Sequence, residues 1–258
     1  MGHVRLGSLP HSRNWKEVVA LLSDCADVDA IASASQKAMG DALKGAGQLP
    51  DFREVTYMLA MLPLVARGPE FLEDARALDL NFEQEPTLLE LSTAISAALD
   101  ERRHEVGATT FGEMAQLSLV ESLVDAIEPQ LPSLFSPEPS EVRTALGRLS
   151  NGDRFARLAR DFYARLTHRA LDFYLSRELA NHVGAGERFA DDSARRRFDE
   201  AMARHCWEVS RIVETYSGGW YGKTVWREGG LSRESVDRYA SYAFTKLRGE
   251  LGRRHAAK

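Results

Sequence analysis

No proline follows Pro139, so the last 119 residues of the chain lack the residue that most forcibly ends a helix. Eight of the nine prolines lie between residues 50 and 139, and four of those eight fall in "PQLPSLFSPEPS", residues 129 to 140. Frequent punctuation followed by none predicts short helices first and long helices afterwards.

Hydrophobic spacing agrees with that division. In "VDAIASASQKAMGDAL", Val28, Ile31, Ala32, Met39 and Leu43 share one helical face with Ser35 in the gap. "DFREVTYMLAMLPLVA" reads as a buried helix kinked near Pro63, "PEFLEDARAL" as a short helix opened by Pro69, and "PTLLELSTAISAALDERRH" as one starting at Pro86. Thr110 with Glu113 is the expected cap of "TFGEMAQLSLVESLVDAI". Beyond "SEVRTALGRL" come helices from Asp153 to about His182, from about Asp192 to Tyr216 and from Ser232 to about Leu251, and only a short extended lead precedes Pro10. No stretch alternates with period two for more than a few residues. The expected fold is all-α, a multi-helix bundle of about nine to ten helices with long proline-free helices in its C-terminal half.

On the first of the long helices, Phe155, Leu158, Phe162, Leu166, Ala170 and Phe173 fall on one face, and Leu171, Leu175, Leu179 and His182 on the opposite one. A helix apolar on both sides belongs in the middle of a bundle. Phe198, Met202, His205, Val209, Ile212 and Tyr216 form a single stripe on the next helix, which points His205 inward.

The net charge of −5 conceals an asymmetry. Residues 1 to 140 hold 10 Lys+Arg against 22 Asp+Glu, and residues 141 to 258 hold 23 against 16, giving −12 and +7. This suggests an acidic N-terminal region, residues 1 to 135, and a basic long-helix bundle, residues 140 to 258, whose opposite fields favour docking into one unit. Composition is that of an ordinary water-soluble chain, with 44% hydrophobic residues. The longest nearly apolar run, residues 57 to 66, is too short to span a bilayer, and no apolar leader opens the chain, so no membrane association and a cytoplasmic location are expected. Cys25 and Cys206 are too far apart for a metal-binding or redox motif and read as buried, reduced thiols.

Three stretches carry candidate chemistry. "SGGWYGKT", residues 217 to 224, lacks only the first glycine of a phosphate-binding loop, but a helix precedes it where such a loop requires a strand. The favoured reading is a helix stop at Gly218 and Gly219, with Trp220, Tyr221 and Trp226 pinning a loop or forming a partner-binding surface; no nucleotide is expected. Glu178 and His182 lie four apart, and His205 and Glu208 three apart on the following helix. An antiparallel pairing could gather these four into a metal site of the kind helical bundles build; the structural alternative is a helix-end His182 and a hydrogen-bonded core His205. Arg195, Arg196 and Arg197 form a basic cluster that could meet nucleic acid, although they spread around the helix rather than along a stripe. Arg157, Asp161, Arg165, Arg169 and Asp172 interleave signs as a salt-bridged surface does.

With no catalytic constellation spelled out, the expected function is a non-catalytic helical interaction protein or accessory subunit of a bacterial multi-protein assembly. It would need a protein partner and no cofactor. The alternatives are a metal-dependent helical enzyme using Glu178, His182, His205 and Glu208, and a nucleic-acid binder using the basic half.

Overall fold

The computed structural model describes residues 13–38, 45–132, 137–184 and 186–253. Among these residues ten α-helices of ten residues or more and one of six account for the fold: α1 Arg13–Ser23, α2 Val28–Ala38, α3 Pro50–Arg67, α4 Phe71–Arg76, α5 Leu88–Val106, α6 Thr110–Ile127, α7 Pro139–Arg148, α8 Gly152–Leu179, α9 Asp192–Val209, α10 Arg211–Glu228 and α11 Arg233–Arg253. The protein is an all-α bundle, as the proline distribution and periodicity predict. The one extended pairing among the described residues is an isolated bridge between Val183 and Phe189. No described helix is long and apolar enough to cross a membrane. Met39, Leu43 and the lead to Pro10 lie outside the described residues.

The 28-residue α8 is the axis. Phe155, Phe162, Leu166 and Leu171 are fully buried, and α6, α9, α10 and α2 pack around it. One continuous apolar core takes in residues from Trp15 to Leu251, on both sides of the charge boundary. Ion pairs cross that boundary too: Arg165 meets Glu121 and Asp125, Arg169 meets Glu121, Arg143 meets Glu85, and Arg233 meets Glu54. α11 lies against α3, with Phe244 wedged between Phe52 and Phe111 at ring separations of 5.9 and 5.5 Å.

The middle of "SGGWYGKT" is not a helix stop. α10 runs through it and ends at Gly229, whose φ of 70° makes the left-handed turn assigned by sequence to Gly218 and Gly219. Gly218 serves a different need. A Cβ there would stand 2.8 Å from the Gly152 carbonyl, and a Cβ on Gly152 would stand 2.9 Å from the Gly218 carbonyl, so the paired glycines let α10 touch the first turn of α8. The helix propensity lost to glycine is offset by the packing that this close approach admits in the next turn. Tyr221 stacks on Phe155 at 3.9 Å and donates its hydroxyl to the Ala60 carbonyl at 3.0 Å. That carbonyl neighbours Leu59, whose own carbonyl loses its usual donor at Pro63.

Two further boundaries differ from expectation. The helix predicted from Asp192 to Tyr216 turns at Ser210, whose ψ of −5° separates α9 from α10. The cap of α6 is Thr109, which accepts from the Gly112 N–H at 3.0 Å, while Thr110 is the first helical residue. Thr109 is itself held by a buried carboxylate, because Asp51 accepts from its N–H at 2.7 Å and its hydroxyl at 2.8 Å. Arg103 lies 3.9 Å from Asp51 and donates to Gln116 and to the Thr109 carbonyl. The carboxylate fits against the helix start only because residue 112 is glycine: a Cβ there would fall 2.0 Å from Asp51 Oδ2.

Cys206 is buried as expected, but Cys25 is exposed. It ends α1 with φ 54°, its N–H donating to Leu22 and the next N–H, that of Ala26, donating to Leu21, the paired pattern of a left-handed helix terminus. Glycine adopts this conformation without a steric cost. Cys25→Gly is therefore expected to raise the unfolding free energy by about 1 kcal/mol, read as a higher urea midpoint at unchanged slope; a lower midpoint would show that the thiol makes a contact worth more than the strain.

Candidate functional site: an arginine-lined cleft

α7 starts from Pro139, with Glu138 before it accepting and donating in a capping box with Glu141. The helix ends at Arg148, and a tight turn through Ser150 leads to Asn151, whose side chain caps α8 by accepting from the N–H groups of Asp153 and Arg154. This turn sets Arg148, in the last turn of α7, beside Arg154, in the first turn of α8. Gly147 brings in the third partner. Without a side chain it lets α7 approach the end of α3, where a Cβ would lie only 3.2 Å from the Arg67 nitrogen.

Arg143 locks that contact. Its guanidinium donates to the carbonyls of Ala66 at 3.3 Å and Gly68 at 2.6 Å, and pairs with Glu85 at 2.5 Å, satisfying the C-terminal end of α3 and leaving Arg67 uninvolved there. The result is a cleft of about 680 Å³ walled by Arg67, Arg143, Arg148 and Arg154, with Ser140 and Thr144 on its side. Among the described residues its four arginines face one carboxylate, Glu85, already held by Arg143. Arg67 and Arg148 are exposed, and neither has a carboxylate within ion-pair distance among the described residues; the Arg154 guanidinium donates to the Gln130 side-chain oxygen at 3.1 Å. In a chain of net charge −5 this is a concentrated positive site.

The residues singled out by sequence lie elsewhere. His205 is in the core, as its stripe predicts, with Nδ1 2.7 Å from Asp29 Oδ1, an aspartate of α2 rather than a residue of the other pair. His182 is buried in a turn following α8, with Glu178 and Glu187 each 3.9 Å away, and Glu208 faces solvent. Among the described residues no three His, Cys, Asp or Glu side chains converge as a metal site would require. Glu178 and His182 do lie near one another, as their spacing places them, but the pairing of α9 with α2 gives His205 a different carboxylate, Asp29.

The aromatic trio separates by depth. Tyr221 is fully buried, so the partner-facing role suggested for it does not hold; Trp220 is half-buried and stacks on Tyr239 at 4.0 Å; Trp226 is 82% exposed. Arg195, Arg196 and Arg197 are exposed in the first turns of α9, among Asp191, Asp192, Asp199 and Glu200 on the same segment. Burial and Asp199 hold the nearby Asp172 carboxyl above its ordinary range, while His168 and Arg195 pull the other way, so Arg195 already has acidic company. The interleaved charges of α8 form the salt-bridged surface expected of them: Arg165 joins Asp161, Glu121 and Asp125. Burial pushes the Cys206 thiol far up, away from thiolate chemistry.

Sequence reasoning did not find the cleft. Arg143, Arg148 and Arg154 are the only local hint, and Arg67 reaches them from a different helix. Comparisons with known protein families, curated proteins and solved structures find no match.

Proposed function

We propose that this chain is a non-catalytic helical interaction protein that binds an anionic group in the arginine-lined cleft. The observation that carries the reading is the convergence of Arg67, Arg148 and Arg154, from three helices, on one concavity whose only carboxylate among the described residues is already paired. Guanidinium groups recognise phosphoryl and carboxylate oxygens through their planar fork and remain charged at any physiological pH. Positive charges gathered without carboxylate partners repel one another in the free protein, and an arriving anion relieves that repulsion.

A binding role fits the cleft better than catalysis. Among the described residues its wall holds no histidine or cysteine, and its carboxylate, Glu85, is paired with Arg143, which leaves no free base there to activate Ser140 or Thr144. His182 and His205 are each engaged with carboxylates in other parts of the bundle.

Thermal unfolding followed with increasing inorganic phosphate tests the reading. Ligand at a hundredfold excess over its dissociation constant stabilises by about 2.7 kcal/mol, and that gain is expected in the parent and not in Arg67→Glu/Arg148→Glu. Equal stabilisation of both proteins, or of neither, overturns the assignment of the cleft. Hydrolysis of p-nitrophenyl phosphate by the parent, lost in the same variant, would replace a binding role with an enzymatic one.

A further inference from the structure

We infer that the cleft takes a small ligand carrying two linked phosphoryl groups and no aromatic base. This rests on the anion-binding reading and narrows it through three properties of the wall: charge, size and composition.

Charge comes first. With Arg143 and Glu85 neutralising one another, Arg67, Arg148 and Arg154 bring three further positive charges to the wall of the cleft, Arg154 also bordering a second pocket that holds Asp125 and Asp161. A single phosphate ester brings roughly −1.5 to −2 at neutral pH, which leaves the site under-neutralised. Two phosphoryl groups match it. Size agrees, because about 680 Å³ lies within the range of small-molecule sites and exceeds what one phosphate fills. The spread of the three guanidinium groups over the ends of α3 and α7 and the start of α8 gives each phosphoryl group a different anchor.

Composition gives a base nothing to stack on among the described residues. Proteins that hold nucleobases offer aromatic faces for stacking, and no Phe, Tyr, Trp or His stands among the described residues of this wall. The aromatic side chains of the region are committed inward, Phe155 and Tyr221 to one another and Trp220 to Tyr239. Ser140 and Thr144 offer hydroxyl groups that can donate to remaining phosphoryl oxygens or meet hydroxyl groups of a polyol. Ser150 is less available, since its hydroxyl donates to the Gly147 carbonyl.

Calorimetric titration of the full chain with orthophosphate, pyrophosphate, tripolyphosphate and ATP, at fixed ionic strength and without divalent cations, tests the inference. Pyrophosphate is expected to bind at least about tenfold more tightly than orthophosphate, and ATP within about threefold of tripolyphosphate, which has the same phosphate chain without the base. Arg67→Glu/Arg148→Glu is expected to abolish binding of all four, whereas Arg195→Glu/Arg196→Glu/Arg197→Glu, which removes positive charge outside the cleft, is expected to leave the ranking intact. Circular dichroism of both variants shows whether they retain the helical fold; should the first unfold, Arg148→Gln carries the same comparison with a milder change. Orthophosphate binding as well as pyrophosphate overturns the two-phosphoryl inference while preserving the anion site. ATP binding tenfold better than tripolyphosphate overturns the exclusion of a base. Binding of none of the four overturns both the inference and the reading beneath it, and equal loss in the two variants reduces the site to general surface charge.

Discussion

Gly112→Ala is expected to destabilise the protein by about 3–5 kcal/mol, the range associated with breaking a buried ion pair. The added carbon would fall 2.0 Å from Asp51 Oδ2 and 2.4 Å from its carboxyl carbon, inside any permissible contact. Asp51 has nowhere to go: it is fully buried, Oδ2 is fixed by the N–H and hydroxyl of Thr109, and Oδ1 accepts from the Phe52 N–H at 2.9 Å. Displacing it breaks the cap of α6 and leaves Arg103 without its buried counter-charge. Asp51→Ala should cost a similar amount for the same electrostatic reason. The informative variant is the double one, because removing the carboxylate also removes the clash, so Gly112→Ala/Asp51→Ala should cost distinctly less than the sum of the singles. Urea denaturation of the four proteins measures the coupling; strict additivity would mean that glycine and aspartate are not in contact.

The second large effect is expected at Phe155. It is fully buried, stacks on Tyr221 at 3.9 Å and lies within about 6 Å of both Trp220 and Tyr239. Phe155→Ala should therefore cost about 3–5 kcal/mol, combining lost transfer energy with a cavity that neighbouring rings cannot fill. Trp226→Ala, on the same helix as Tyr221, removes a larger side chain and should change stability by less than about 0.5 kcal/mol, because that ring is 82% exposed. Comparable losses for the two would place Trp226 in the core and displace α10 from its assigned rotation.

These two sites show what the sequence could and could not disclose. The missing prolines and the helical period of Phe155, Leu158, Phe162 and Leu166 were sufficient for the fold class and for α8 as its axis, because both are local properties of the chain. The inward orientation of His205 followed from its stripe for the same reason. Gly218 was misread because its role is set by Gly152, on another helix, and two glycines beside each other look locally like a helix end. The carboxylate partners of the histidines could not be read either, since Asp29 belongs to α2. The cleft was least legible of all. Arg67, Arg143, Arg148 and Arg154 follow no spacing rule, and Arg67 and Arg148, in the last turns of their helices, look like ordinary dipole-compensating cations; only the glycine-mediated approach of α7 to α3 makes the four one site.

The position of α11 bears on how the protein emerges during synthesis. Phe52 and Phe111 meet Phe244 only when α11 has been made, Glu54, already paired with Arg102, gains Arg233 only then, and the Gly47 carbonyl waits for Ser241. A nascent chain complete through α10 thus still exposes the apolar side of α3 that α11 covers. Contacts joining distant parts of a chain make folding slow, and transiently uncovered apolar surface invites association with other molecules. Chains halted before residue 233 should accordingly partition into aggregates or be retained by chaperones, while release of the last helix permits closure of the core in one late, cooperative step.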